Sequence, residues 1–156
     1  GMEFSAARAM TIRRIEGGIF GNLTDIDTTI TPFEAGLGFF VNMDKEDFIG
    51  RDALANKDRR PCLFGITCKS DTPVSGSKVL EKNKIVGHIT AGIPSPTLKL
   101  GIGYVRFYEP KDWPGRELML ELPNGQRYSC NVVNLPFFDH DKKIVKGIDR
   151  TIPSNI

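Results

Sequence analysis

The segment LMLELPNGQRYSCNVV, residues 118–133, decides the fold class of this chain. Two runs rich in β-forming residues, Leu118 to Leu122 and Gln126 to Val133, flank the tripeptide Pro123-Asn124-Gly125. An Asn-Gly pair between two such runs is a strong hairpin signal, because both residues tolerate the positive φ angles of a tight turn. We therefore predict an antiparallel hairpin at this position.

Four further short strands are predicted between Cys62 and this hairpin. They are Leu63 to Cys68, Lys78 to Leu80, Ile85 to Ala91 and Leu100 to Arg106. The second and third flank the turn Glu81-Lys82-Asn83, whereas residues 93–99, with two prolines, are predicted to form an extended loop. Many short strands without helices between them are typical of a small antiparallel β-barrel. The predicted class is mainly β.

The first 57 residues show a different pattern. Residues 2–16 contain no Pro and no Gly before Gly17-Gly18, which predicts a helix that ends there. Residues 17–36 are predicted to be loop, Leu37 to Val41 a short strand and Ile49 to Asn56 a short helix. The polar loop 57–61 ends in a proline, so we place a domain boundary there: residues 1–57 as an α/β segment and residues 58–156 as the barrel with its tail.

The predicted first helix is apolar on two sides. Met2, Ala6, Ala9 and Met10 fall on one side, and Phe4, Ile12 and Ile15 fall on the other. A helix of this kind normally packs against partners on both sides. If one side stays uncovered, it favours self-association.

Composition limits the function classes. The formal net charge is +2 in 156 residues, too small to indicate nucleic acid or a membrane surface as a partner. The apolar runs are only a few residues long, so we predict no membrane-spanning helix. Cys62, Cys68 and Cys130 lack CxxC spacing, which favours buried, reduced thiols and a cytoplasmic protein. The two histidines have no ligand-like neighbours, so no metal site is predicted.

A search for catalytic groups finds no convincing site. Asp25, Asp27 and Glu34 lie in predicted loop and are interpreted as turn-forming or capping groups. Glu16 at a helix C-terminus opposes the helix dipole, so it needs a partner, either Arg13, Arg14 or a donor elsewhere. A salt bridge to Arg13 or Arg14 is favoured over a ligand contact. Trp113 is interpreted as a cap on the barrel rather than a surface for ligand stacking.

Eight sequence blocks, taken in order, resemble one known family. They are RIEGG at 14–18, TPFEAGLG at 31–38, DFIGRDAL at 47–54, IVGHITAG at 85–92, PSPTLK at 94–99, IGYV at 102–105, Pro114-Gly115 followed by Leu118 to Leu122, and LPF at 135–137. The chain is similar throughout to the C-terminal portion of the glycine cleavage T-proteins, a family of folate-dependent one-carbon transferases. The resemblance implies tetrahydrofolate as cofactor and a small methylated or aminomethyl compound as substrate.

The resemblance also implies an incomplete active site. In that family the first block falls past the middle of a longer chain, and the catalytic aspartate and pterin-binding glutamate precede it. No residue here is therefore assigned a catalytic role. The expectation is the back part of an enzyme, inactive alone, that supplies a barrel wall and contacts to the folate tail. The alternative is a non-catalytic binding or assembly module that uses the barrel.

Four residues are candidates for contact with folate. Aminomethyltransferases of the family place an arginine six residues before the glutamate of the first block, where this chain has Met10. Helical spacing puts Arg14, rather than Arg13, on the same side as Met10. The ending FFDHDKKI, residues 137–144, resembles relatives in which the tail passes near the folate glutamate, so Lys142 and Lys143 are included; the alternative is two solvated lysines on a tail. These features resemble the subgroup that contains dimethylsulfoniopropionate demethylase.

Overall fold

The computed structural model describes residues 7–150, and its centre is a six-stranded antiparallel β-barrel. The strands are β1 Leu63–Cys68, β2 Lys78–Glu81, β3 Lys84–Ser95, β4 Leu100–Phe107, β5 Glu117–Glu121 and β6 Arg127–Val133. Their order around the barrel is β1-β4-β3-β2-β5-β6, and β6 pairs with β1 to close it. The predicted class, mainly β with an antiparallel barrel, is confirmed.

Both predicted hairpin turns are present. Lys82 and Asn83 have φ angles of 48° and 68°, and Gly125 has a φ of 83°. The positive values explain why the tight β2–β3 connection uses an asparagine and the β5–β6 connection a glycine. With these turns in place, Leu118 pairs with Cys130 and Leu120 with Tyr128.

A single apolar core fills the barrel. In β5, Leu118 and Leu120 are buried whereas Met119 between them is 40% exposed, the alternation expected of a strand with one face inward. Trp113 is fully buried in the same core and stacks on Phe107 with 3.9 Å between ring centroids and 7° between ring planes. The side chain therefore has no face left for a ligand, as predicted.

A second apolar cluster lies between the barrel and helix α1, Ala7–Glu16. Strand β4 is buried on both faces, because Val105 points into the barrel core while Ile102 and Tyr104 contribute to this second cluster. Ile15 of α1 is 1% exposed there, and Ile12 packs against it. Burying one such side chain contributes about 1.5–3 kcal/mol, so α1 is fastened to the barrel by one of its two apolar sides.

The other apolar side of α1 is not covered by the described residues. Met10 is 72% exposed. The remaining members of the predicted pattern, Met2, Phe4 and Ala6, lie outside the described residues, as does the first part of the predicted helix. None of the helices within residues 7–150 has the length and apolar content needed to cross a membrane.

The strand predicted at Leu37 to Val41 is wrong. Residues Gly38–Phe40 form a short 3₁₀ helix, and Phe39 and Phe40 are 78% and 76% exposed. An extended segment is stable only when a neighbouring strand accepts and donates its backbone hydrogen bonds. No strand of residues 7–150 lies beside this segment, and its carbonyls instead bond locally, with Phe40 N–H donating to Leu37 O at 3.0 Å.

The predicted loop at 93–99 is partly wrong as well. Strand β3 continues to Ser95, and Pro94 pairs with Gly101 of β4. Proline has no backbone N–H to donate to a neighbouring strand. It therefore fits only where one side of the strand is unpaired. Here the pairing of β3 with β2 covers residues 84–88 and has ended well before Pro94. The predicted short helix is present as α2, Arg51–Ala55.

Candidate functional site: a cationic cavity beside helix α1

Helix α1 ends against the barrel, and the barrel satisfies its last carbonyl groups. Gly18, with φ of 70°, ends the helix as predicted. The Tyr104 hydroxyl of β4 lies 3.1 Å from Arg14 O and 3.2 Å from both Ile15 O and Ile19 O, so it donates into this group of carbonyls. Burial raises the pKa of Tyr104, which keeps the hydroxyl protonated and able to donate.

Glu16 has a different partner from the predicted one. Its side chain is buried, and its carboxylate accepts hydrogen bonds from Ser95 Oγ at 2.5 Å and Thr97 Oγ1 at 3.1 Å. The preferred interpretation, a salt bridge to Arg13 or Arg14, is wrong. Hydroxyl groups at the end of β3 reach the carboxylate because the strand runs on past its predicted end at Ala91. The contact ties α1 to the barrel a second time.

Arg14 is held by a buried aspartate. Arg14 Nη1 lies 2.8 Å from Asp25 Oδ2, and the Asp25 side chain is fully buried. Asp25 also accepts from Gly21 N at 2.7 Å and from Thr90 Oγ1 of β3 at 2.7 Å. The interpretation of Asp25 as a turn-forming group is thus only part of its role, since it joins three separate segments. Asp27 and Glu34 do accept locally, from Thr29 N and Thr31 N respectively, and Asp27 also pairs with Arg106 of β4 at 3.6 Å.

The chain after the barrel returns to α1 and encloses a cavity with it. Phe137 N and Phe138 N both donate to Glu16 O, at 3.1 and 3.0 Å. Residues of the segment that follows and residues of α1 together line a cavity of about 420 Å³. The cavity is lined by Met10, Arg13, Arg14, Glu16, Gly17, Ile19, Pro136, Phe138, Asp139, Lys142, Ile144 and Val145.

Some charged side chains that line this cavity have hydrogen-bond partners within residues 7–150, and others do not. The Glu16 carboxylate is occupied by two hydroxyls, and the two oxygens of Asp139 accept from Lys143 N at 2.6 Å and Ile144 N at 3.0 Å. Arg13 and Lys142, in contrast, form no ion pair or side-chain hydrogen bond with any residue between 7 and 150. The cavity therefore combines apolar walls with cations that have no internal counter-charge, which suits an anion with an apolar body.

The structure brings together three of the four sequence candidates. Met10, Arg14 and Lys142 line the same cavity, although Lys142 lies more than 125 positions after the other two in the chain. Lys143 does not line it, and its ammonium instead lies 3.2 Å from Asp141 Oδ2. Arg13 was excluded by the sequence argument but lines the cavity, because residues three apart share a helix face as well as residues four apart.

Other candidate groups have structural roles. All three cysteines are free and buried, as predicted, and burial raises the pKa of Cys62 to about 11 and of Cys130 to about 12. His140 is exposed. Within residues 7–150 no cluster of three or more His, Cys, Asp or Glu side chains could hold a metal ion. A second depression of about 480 Å³ contains Arg8, Lys69 and Lys99, but it is a more open groove without comparable apolar walls.

The fold and site together define a closed antiparallel barrel domain with a cavity, lined by apolar and cationic side chains, between a flanking helix and the segment that follows the barrel. Comparison with known proteins gives the family. Residues 60–139 match the model of the glycine cleavage T-protein C-terminal barrel domain, and the chain belongs to this family.

Individual relatives agree with this assignment. The chain is 34% identical over 139 residues to an aminomethyltransferase of Streptomyces coelicolor. This match covers 83% of this chain and 37% of the relative. It is 44% identical over 84 residues to an aminomethyltransferase of Alkaliphilus oremlandii, covering 51% of this chain and 23% of the relative. The crystal structure of the glycine cleavage system aminomethyltransferase T from Bartonella henselae matches with a TM-score of 0.72 at 25% identity, covering 82% of this chain and 37% of that one. The chain thus spans less than two fifths of the length of these relatives.

Proposed function

We propose that this chain is the C-terminal part of a tetrahydrofolate-dependent aminomethyl- or methyltransferase, and that its cavity beside α1 contacts the tail of the folate. The observation that supports the proposal most directly is the charge balance of the cavity. The carboxylates of Glu16 and Asp139 are occupied within the chain, whereas Arg13 and Lys142 are not. Such a cavity is arranged to accept carboxylate groups from outside.

The folate tail fits this chemistry. It consists of an aromatic ring followed by a glutamate, so it needs an apolar wall and then cations. Ile144, Val145 and Phe138 supply the wall, and Arg14 and Lys142 lie beside it. When bound, tetrahydrofolate supplies the nitrogen that accepts the one-carbon unit. The residues of this chain would orient the cofactor through its tail and exclude water from it.

The chain is proposed to be inactive alone. The residues that line the cavity include no histidine, cysteine or serine, and the acidic groups among them are engaged in hydrogen bonds. The assay is one-carbon transfer to tetrahydrofolate by the 156-residue protein. Turnover in the range of ordinary enzymes, about 1–10³ s⁻¹, would overturn this part of the proposal.

Met10 refines the substrate class. It lies at the cavity, 72% exposed, in the place where the resemblance puts an arginine in strict aminomethyltransferases. We assign the chain to relatives that transfer a methyl group from sulfur or oxygen, in the manner of the dimethylsulfoniopropionate demethylase subgroup. An enzyme assay of the protein supplemented with the N-terminal portion of an aminomethyltransferase, with aminomethyl and S-methyl donors in parallel, distinguishes aminomethyl transfer from methyl transfer. The three free buried thiols are consistent with a cytoplasmic location.

Calorimetry with p-aminobenzoyl-glutamate tests the tail contact. Lys142→Ala and Arg13→Ala remove cations with no internal partner, so the fold should be unaffected. Each should weaken binding by about 1.5–3 kcal/mol if it forms a charge-assisted hydrogen bond with the ligand. Lys45→Ala, in an exposed loop away from the cavity, is the matched control. Binding that is absent in the wild type, or unchanged in both variants, contradicts the proposal.

A second candidate function, an assembly role, is supported by a different surface. The rings of Phe39 and Phe40 contact each other, with 4.1 Å between their centroids, and both side chains are exposed. The side chain of Ile49 is exposed as well. Contiguous exposed aromatic groups are typical of a surface that another protein covers. The sequence pattern there favours a strand, which forms once a partner supplies the backbone hydrogen bonds.

Sedimentation velocity tests this second function. If the surface drives association, the wild type should sediment as oligomers at high concentration and the double variant Phe39→Ser, Phe40→Ser as a monomer. Ile85→Ser, which removes a 41% exposed apolar group from the barrel, is the control and should leave association unchanged. A monomeric wild type removes the support for self-association.

A further inference from the structure

Asp25 is a buried charged group for which the proposed contact with folate gives no direct role. Its carboxylate is fully buried and receives three donors. Arg14 Nη1 and Gly21 N reach Oδ2 at 2.8 and 2.7 Å, and Thr90 Oγ1 reaches Oδ1 at 2.7 Å. A buried carboxylate with donors on both oxygens is held rigidly, because losing any donor would leave charge unsatisfied in a medium of low dielectric constant.

One nitrogen of the Arg14 guanidinium is consequently held by hydrogen bonds, whereas the other two are not. Its Nη1 is occupied by Asp25 and by Ile19 O at 3.3 Å. Its Nε and Nη2 form no hydrogen bond with any described residue, and the side chain is 26% exposed at the cavity. Because the guanidinium is planar, fixing Nη1 also fixes the direction of the remaining N–H groups.

Thr90 links this arrangement to the barrel. It lies on β3, its hydroxyl donates to Asp25, and it is not among the residues that line the cavity. Any effect of Thr90 on a ligand in the cavity must therefore pass through Asp25 and Arg14. Substitutions of Thr90 therefore test the contacts from Thr90 through Asp25 to Arg14 without changing the residues that line the cavity.

We infer that Asp25 is a positioning residue: it holds Arg14 so that the Nε–Nη2 edge faces the cavity, and it thereby makes the cavity select carboxylate over carboxamide ligands. The inference rests on the proposed function for the ligand but adds a separate claim about the conformation of Arg14. An arginine held in this way offers two parallel donors, which match the two oxygens of a carboxylate and not a carboxamide.

The binding test compares two ligands. p-Aminobenzoyl-glutamate is the carboxylate probe, and its diamide is the neutral probe of the same shape. In Thr90→Val the preference for carboxylate over diamide should fall about tenfold, the equivalent of one charge-assisted hydrogen bond. Thr90→Ser retains the hydroxyl and should restore the preference. Thr67→Val on β1, whose hydroxyl bonds only to Asn131 O, is the control.

A ligand-free measurement keeps the two claims separate. The Nε–H resonance of Arg14 in ¹⁵N NMR should show slow rotation of the guanidinium in the wild type and fast rotation in Asp25→Asn and Thr90→Val. Circular dichroism identifies any variant that fails to fold; if Asp25→Asn does, Thr90→Val carries the comparison, with Thr90→Ser as its folded reference that keeps the hydroxyl. If neither probe binds but rotation changes as expected, the proposed folate contact fails and the positioning of Arg14 stands. Unchanged rotation, or equal loss of affinity for both probes, overturns the inference.

Discussion

The barrel and the segment before it both contain large apolar side chains, but the barrel buries most of them and the segment leaves several exposed. Residues 63–133 bury four large aromatic side chains, Phe64, Tyr104, Phe107 and Trp113, and leave Tyr108 exposed, and Trp113 is fully enclosed against Phe107. Residues 17–57 leave Phe39, Phe40 and Ile49 in solvent. The barrel closes on itself, whereas these exposed apolar side chains of the N-terminal segment are not covered by any other element of residues 7–150. The difference shows that one chain can pack its apolar side chains fully in one region and leave several of them in solvent in another.

Aromatic truncation provides the strongest test of that difference. Trp113→Ala should cost about 3–5 kcal/mol of unfolding free energy, because it leaves a cavity in a packed core. Phe39→Ala removes an aromatic ring that is already in water, and surface substitutions of this kind change stability by about 0.5 kcal/mol or less. Urea denaturation of both variants gives the comparison. Equal losses would mean that the N-terminal segment is packed as fully as the barrel.

The contact between the two regions is tested by Glu16→Gln. The amide replaces one carboxylate oxygen with an NH₂ group and can accept from only one of the two hydroxyls, so the buried Ser95 or the exposed Thr97 loses its acceptor. The expected loss is about 1–3 kcal/mol. Native-state hydrogen exchange should show the loss in the amides of α1 while the amides of β5 and β6 keep their protection. Glu46→Gln in an exposed loop is the control, and a uniform change over the whole chain would contradict a local role.

A smaller effect is expected from pH within the barrel. Burial lowers the pKa of His88 below its usual value, and Arg106 on the adjacent strand adds to this. The unfolded chain then binds more protons than the folded one, so stability should fall as pH drops from about 7 through the unfolded pKa of about 6.5 to the lowered folded value. His88→Gln should flatten this slope. Denaturation at pH 7.5 and 5.5 measures it, and a slope that persists in the variant assigns it to other groups.

The turns and strands of the barrel could be predicted because the residues that specify each of them are close together in the sequence. The Asn-Gly turn after Pro123 and the alternation in β5 depend only on neighbours in sequence, and both are present in the structure. The strand at Leu37 to Val41 could not be judged in this way. Its residues favour extended structure, but the hydrogen bonds that stabilise a strand come from another segment, and none within residues 7–150 provides them.

The cavity was predictable in part. Met10, Arg14 and Lys142 were candidates from a family resemblance, and the structure places them around one cavity. Arg13 could have been found from the same helix, since residues three apart share a face. Asp25 and Thr90 could not. Their link to Arg14 spans a loop and a barrel strand, and sequence spacing carries no signal for such a contact.

The amino-acid sequence by itself determined the class of the fold, the hairpin turns, the buried thiols and the family, because each depends on residue type or on order along the chain. Only the tertiary structure decided the partners of the buried charges. Glu16 pairs with hydroxyls rather than with an arginine, and Arg14 pairs with Asp25, since a buried charge is satisfied by whichever donor the fold brings within about 3 Å. The orientation of Arg14 at the cavity follows from its pairing with Asp25.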